Sequence, residues 1–191
     1  MKTKFLALSM VLTAVLTGNA LAAMTGEQYK AEKTRISSEY KAKKQKCDSL
    51  KANAKDICMA EAKGADKIAL AEAEAQYKPS VKHTQDVAMA KADAAYNTAK
   101  EKCDDQTGNA KDVCIKAAKA AQVKAREDFK VAKVAAQGSA AGSANMADTK
   151  KEANDEKREA NYKVAKERCD ALSGTKKDTC ENDAKVKFGM K

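Results

Sequence analysis

The chain has 191 residues, with 37 Lys plus Arg against 27 Asp plus Glu and a formal net charge of +10 at neutral pH. It has no Trp, aromatic residues make up only 4 %, and much of the 43 % hydrophobic fraction is alanine, which buries little apolar area per residue. This composition excludes a compact globule with a large aliphatic and aromatic core. It favours long helices instead, because Ala, Lys, Glu and Gln are good helix formers.

Residues 1–22 have the pattern of a secretory signal peptide. Two lysines precede an apolar run at 5–17, and Ala20-Leu21-Ala22 provides small residues for a cleavage site. The alternative, an uncleaved membrane anchor, needs a longer run of roughly 20 apolar residues. We therefore predict cleavage after Ala22, export to the periplasm of a Gram-negative bacterium, and no transmembrane segment in the mature chain.

The rest of the chain contains three copies of one motif. Each copy has a tyrosine, a cysteine seven residues later followed by Asp, then Lys-Asp and a second cysteine eleven residues after the first. On an uninterrupted helix the two cysteines would lie roughly 16 Å apart, whereas the Cα atoms of a disulfide lie within roughly 7 Å. The chain must therefore turn back if they are bonded, as an oxidising compartment favours. The predicted pairs are Cys47 with Cys58, Cys103 with Cys114, and Cys169 with Cys180.

Helix breakers lie between the two cysteines of each copy. Glycine suits the left-handed residue that closes a helix, and Asn or Thr is a common N-cap. An Asp follows three residues after each Asn or Thr, so the pattern predicts that these residues cap the outgoing helices in the manner of a capping box. The three turns are Ala52-Asn53, Gly108-Asn109 and Gly174-Thr175, of which the first lacks the glycine.

These signals predict an all-α protein of three disulfide-stapled antiparallel helical hairpins, elongated and with little hydrophobic core. Heptad spacing of apolar residues before each first cysteine supports coiled-coil-like pairing within a hairpin. Hairpin 1 is predicted at 23–78, before the single proline Pro79, and hairpin 2 at 81–137. A flexible linker rich in Gly, Ser and Ala is predicted at 138–147, and hairpin 3, with a short second helix, at 148–191.

We interpret the cysteines as structural staples. The chain has no C-x-x-C motif and one histidine, His83, which we expect in a solvated loop after the proline. Since no nucleophile or phosphate-binding motif is present either, we predict a non-catalytic protein without a metal or cofactor. The alternative is a protein that sequesters a metal or buffers thiol oxidants, because an acid follows each first cysteine: Asp48, Asp104 and Asp170.

Basic residues precede the first cysteine of each copy. Such clusters attract phosphate-bearing partners, which in the periplasm are lipopolysaccharide and anionic phospholipid; another envelope protein is a further candidate partner. Nucleic acid is disfavoured by the compartment and by the lack of a groove-binding motif. The alternative is a solvated helix face that only keeps the protein soluble. The candidate anion-binding residues are Lys44, Lys46, Lys100, Lys102, Lys166 and Arg168.

The repeated motif, set in an exported chain rich in Ala and Lys, resembles a group of uncharacterised periplasmic proteins of Gram-negative bacteria. Members of this group are sometimes labelled TolA-like or cell-envelope biogenesis proteins, and the resemblance covers nearly all of the mature chain. It implies a role in the cell envelope. TolA itself is similar only in its helical stalk and keeps an uncleaved anchor, so its energy-coupled function does not transfer to this chain.

Overall fold

A computed structural model of the protein describes residues 23–136 and 140–191. The secondary structure of this part of the chain is entirely helical, with short turns between the helices and no strand. The predicted signal peptide at 1–22 lies outside the described residues. The helices are α1 (Gly26–Asp48), α2 (Ala52–Tyr77), α3 (Val81–Cys103), α4 (Gly108–Ala136), α5 (Ala140–Cys169) and α6 (Gly174–Phe188).

The six helices form one row. Within the described residues, each helix packs only against its neighbours in the chain: α1 on α2, α2 on α3, and so on to α6. Since the connections are short, neighbouring helices are antiparallel, and α1, α3 and α5 run in the same direction. Three hairpins, α1–α2, α3–α4 and α5–α6, thus stand side by side, which confirms the predicted fold class.

The buried side chains are mostly small, as the composition predicts. Ile36 and Val164 are the only large aliphatic side chains in the buried core of the described residues. The first cysteine of each hairpin is no more than 1 % exposed. An alanine four residues after each second cysteine is also buried, so the hairpins share one packing pattern. These equivalent residues are Cys47, Cys103 and Cys169, and Ala62, Ala118 and Ala184.

Part of the predicted linker at 138–147 is helical. Helix α5 begins at Ala140, which corrects the prediction for residues 140–147, while 138 and 139 lie outside the described residues. Four alanines in this stretch favour a helix and offset the cost of Gly142. Packing of α5 along α4 adds tertiary support that a composition-based linker assignment does not include.

The three turns share one left-handed residue. Gly108 and Gly174 have φ angles of +56° and +55°, as glycines at this position were predicted to have. Ala52 adopts the same conformation, with φ +48°, although its Cβ makes it unfavourable. The first turn therefore follows the geometry of the other two at a steric cost.

Replacing Ala52 by glycine should raise the free energy of unfolding by about 1 kcal/mol. A left-handed conformation costs a non-glycine residue roughly 1–2 kcal/mol, and the greater unfolded-state entropy of glycine offsets part of that gain. Gly108→Ala is the matched reverse change and should lower the free energy of unfolding by a similar amount, since no atom lies within 4 Å of a Cβ built there. Urea unfolding followed by circular dichroism measures both changes. Equal stability of all three proteins would contradict the argument.

Candidate functional site

The three disulfides lie at one end of the row of helices, which we call the stapled end; it comprises the turns at 48–52, 104–108 and 170–174. Each disulfide joins the end of an incoming helix to the second turn of the outgoing helix, and no cysteine is free. The pairing confirms the prediction and indicates an oxidising, exported environment. The Cα atoms are 5.5 Å apart in Cys47–Cys58 and 5.6 Å apart in both Cys103–Cys114 and Cys169–Cys180.

An ion pair crosses each of the three turns. The Asp after the first cysteine lies beside the Lys three residues before the second, an interaction that sequence analysis missed. Hydrogen bonding to Lys177 lowers the pKa of the Asp170 carboxyl, and the pKa of Lys177 is correspondingly raised. The acids that motivated the metal-binding alternative are thus each paired with a lysine. The N–O distances are 2.9 Å for Asp48–Lys55, 3.0 Å for Asp104–Lys111 and 2.7 Å for Asp170–Lys177.

Two asparagines join neighbouring hairpins at the stapled end. The side-chain amide of Asn53 donates to the backbone carbonyl of Glu101 at 2.8 Å and to the carboxylate of Asp105 at 2.7 Å. The amide of Asn109 donates in the same way to the carbonyl of Glu167 at 2.7 Å. Both acceptor carbonyls belong to the residue two positions before the next first cysteine. These bonds hold the three turns side by side.

Asn53 and Thr175 were predicted to be the N-caps of α2 and α6, and this prediction is wrong. The N-cap residues are Lys51 and Ser173, and neither makes a side-chain capping hydrogen bond. Because α2 and α6 already begin at the left-handed residue, Asn53 and Thr175 lie inside the first helical turn rather than before it. From there the Asn53 side chain reaches the next hairpin instead of the amides of its own helix.

The six candidate anion-binding residues all lie in the last two turns of α1, α3 and α5, near the stapled end. All are exposed except Lys44, which is half-buried. The two from one helix are two positions apart, about 200° around the helix axis, so they point to different sides of the row. The set therefore divides into a first row of Lys44, Lys100 and Lys166 and a second row of Lys46, Lys102 and Arg168.

The two rows have different surroundings. In the second row, Lys102 is paired with Glu61 of α2 at 3.4 Å. In the first row, Lys100 lines a groove between α2 and α3, where Lys63 and Lys67 are balanced in part by two acids, Asp56 and Glu101. An equivalent groove between α4 and α5 is lined by Lys116, Lys119 and Lys163 with the acids Glu156 and Glu159. Each groove thus has one more cation than anions.

The described residues contain no group of three or more His, Cys, Asp or Glu side chains that could hold a metal ion. His83 does not lie in a loop as expected: it is in the first turn of α3, where Ser80 caps its backbone amide at 3.1 Å. Its ring Nδ1 lies 2.5 Å from the carbonyl of Lys78, at the end of the row opposite the staples. The histidine therefore has a local structural contact far from every cysteine.

No helix in the described part of the chain combines the length and apolarity needed to cross a membrane. Comparison of the chain with protein-family models, curated proteins and solved structures gives no match. Functional inference therefore depends on the geometry of the stapled end and of the helix surfaces.

Proposed function

We propose that this protein is a non-catalytic structural or interaction component of the periplasmic cell envelope. It reaches the periplasm through a cleaved signal peptide at 1–22, and it docks on anionic envelope surfaces, phospholipid or lipopolysaccharide, through the first row of basic residues. The six bonded cysteines support an oxidising destination. The resemblance to envelope-associated repeat proteins supports the same assignment.

The observation that carries the proposal is the regular placement of the first row. Its three lysines come from α1, α3 and α5, which are separated by one helix each. Helices pack 8–10 Å apart, so these lysines are spaced by about 16–20 Å. One small anion contacts a single lysine at that spacing, whereas a charged membrane surface contacts all three. The preferred ligand is therefore an extended anionic surface rather than a free phosphate.

The stapled end keeps this spacing fixed. Disulfides and the Asp–Lys pairs set the geometry within each hairpin, and Asn53 and Asn109 set it between hairpins. Because side chains of a rigid array lose less freedom on docking, three individually weak contacts can add to a measurable affinity. Exposed charges are screened within about 10 Å at 0.1 M salt, so the binding must weaken as salt rises.

Changing the first row to glutamine, in the triple variant Lys44→Gln, Lys100→Gln and Lys166→Gln, should reduce binding to anionic vesicles by about tenfold or more. Glutamine removes the charge and keeps the helix propensity. Cosedimentation of the oxidised mature protein with phosphatidylglycerol vesicles and neutral phosphatidylcholine vesicles, at two salt concentrations, measures the effect. The natural protein should bind only the anionic vesicles and should release them at high salt.

The matched control is the triple variant Lys82→Gln, Lys150→Gln and Lys151→Gln. It makes the same change in net charge with exposed lysines about 27 Å or more along the helix axes from the staples. This control should bind anionic vesicles as the natural protein does. If both triple variants lose vesicle binding equally, or if the natural protein binds neutral and anionic vesicles equally, the proposal is contradicted and the lysines only keep the protein soluble.

A further inference from the structure

The two outer edges of the row are copies of surfaces that are covered elsewhere in the same molecule. Helices α1 and α6 each have a single neighbour in the described residues, whereas α2 packs on α3 and α4 packs on α5 between hairpins. The three-fold repeat assigns each edge residue a counterpart at the α2–α3 interface. The contacts that these counterparts make at the α2–α3 interface therefore indicate which surface each edge can bind.

The centre of the α2–α3 interface is the contact of Gly64 with Ala94. A Cβ built on Gly64 would lie 2.7 Å from the Cβ of Ala94, so these helices approach closely. The counterpart of Gly64 on α6 is Val186, which is 83 % exposed, and the counterpart of Ala94 on α1 is the exposed Ser38. A large exposed hydrophobic side chain thus occupies the position that the next hairpin covers inside the row.

The charges of the two edges are complementary in the same register. At the α2–α3 interface, Lys102 pairs with Glu61 at 3.4 Å. Their counterparts are Lys46 on the α1 edge and Asp183 on the α6 edge, and both are exposed. Two further counterparts with opposite charges are Lys41 on α1 and Glu181 on α6; they correspond to Asn97 and Met59, which line one groove between α2 and α3.

We infer that the α6 edge of one molecule docks on the α1 edge of a second copy, in the register that joins α2 to α3. Lys41 and Lys46 then face Glu181 and Asp183, and Val186 is covered near the C-terminal end of α6. The α1 edge and the α6 edge are two different surfaces, and each contact joins the α1 edge of one copy to the α6 edge of another. The contact is therefore heterologous and extends as a head-to-tail chain rather than closing as a two-fold dimer.

The association should be weak and sensitive to salt. Helix α6 has 15 residues and is thus about 22 Å long, and its edge offers one large apolar side chain, Val186. We expect a contact of this length to bury less than the roughly 1,200 Å² of total area that stable interfaces reach. The charge pairs therefore determine how the two edges align. Because the affinity is low, the extent of self-association depends on the local protein concentration.

Sedimentation equilibrium of the oxidised mature protein at low salt tests the inference. The weight-average mass should rise continuously between about 10 µM and 1 mM, without stopping at a dimer. Variants Lys41→Glu/Lys46→Glu and Glu181→Lys/Asp183→Lys should each weaken association by about tenfold or more, because like charges then meet at every contact. An equimolar mixture of the two variants should associate again, since every contact in an alternating chain is complementary.

The control Asp148→Lys/Glu152→Lys changes two exposed acids of α5, which is not an edge helix, by the same charge. It should associate as the natural protein does, and circular dichroism should show every variant to be equally helical. A constant monomer mass up to about 1 mM at low salt would overturn the inference. So would variants that associate normally, a mixture that fails to recover, or equal weakening in the control.

Discussion

Replacing Cys103 and Cys114 by alanine is expected to lower the free energy of unfolding by about 3 kcal/mol, the loop-closure entropy of a bridge over roughly a dozen residues. The sequence separation is 11, and Cys103 is fully buried at the middle of the row. Few other groups can compensate, because the buried side chains are mainly alanines. Since domains are typically stable by only 5–15 kcal/mol, urea unfolding followed by circular dichroism should detect the loss clearly.

The same change in hairpin 3, Cys169→Ala with Cys180→Ala, serves as a comparison with a different expected outcome. Helix α6 has 15 residues and one packing partner, α5. Isolated helices of that length are marginal in water, so α6 should melt alone while α1 to α5 stay folded. Hydrogen exchange should show lost protection confined to α6. A chain whose unfolding midpoint is unchanged after complete reduction would contradict a stabilising role for all three bridges.

The hairpins were predictable because their determinants are local and repeated. Good helix formers, cysteines eleven residues apart and a turn residue between them leave one simple solution, since a straight helix cannot join the two sulfurs. The same reasoning located the left-handed residues Gly108 and Gly174. Ala52 shows that tertiary structure can impose the turn where the residue itself disfavours it.

The contacts between hairpins could not be predicted from local spacing. Asn53 matched a capping pattern, but its acceptor carbonyl at Glu101 lies 48 residues away in the sequence. One sequence signal did exist: Asn recurs in the first two copies and is replaced by Thr175 in the third, which has no following hairpin to bind in the described chain. The difference between internal and terminal copies marks residues that act between repeats.

The division of the basic residues into two rows was also missed, for a geometric reason. The sequence places Lys44 and Lys46 in one cluster, but a helix turns them about 200° apart. The linker assignment for residues 140–147 was mistaken for a different reason, because glycine and serine content was weighed without the helix-stabilising contact between α4 and α5. The residue composition of this segment favours a linker, but packing of α5 against α4 stabilises it as a helix.

Gly64→Leu is expected to lower the free energy of unfolding by about 2 kcal/mol through overpacking. Gly64 is buried on α2, and even a Cβ there would lie 2.7 Å from the Cβ of Ala94 and 3.4 Å from its Cα. An alanine methyl cannot rotate away, so α2 and α3 must separate. Lys63→Leu is the matched control at the exposed neighbour of Gly64, which lines the solvent-open groove between α2 and α3, and its effect should stay within about 0.5 kcal/mol.

Separation of α2 from α3 should have a consequence beyond lost stability. The bond from Asn53 to Glu101 crosses the same interface, and no disulfide joins hairpin 1 to hairpin 2. In Gly64→Leu the hairpins should therefore unfold independently, with hairpin 1 losing hydrogen-exchange protection at lower urea than hairpin 2. Adding Ala94→Gly restores space for part of the leucine and should recover some coupling. If Gly64→Leu unfolds in one step at the urea midpoint of the natural protein, the close approach of α2 and α3 is not what makes the hairpins unfold together.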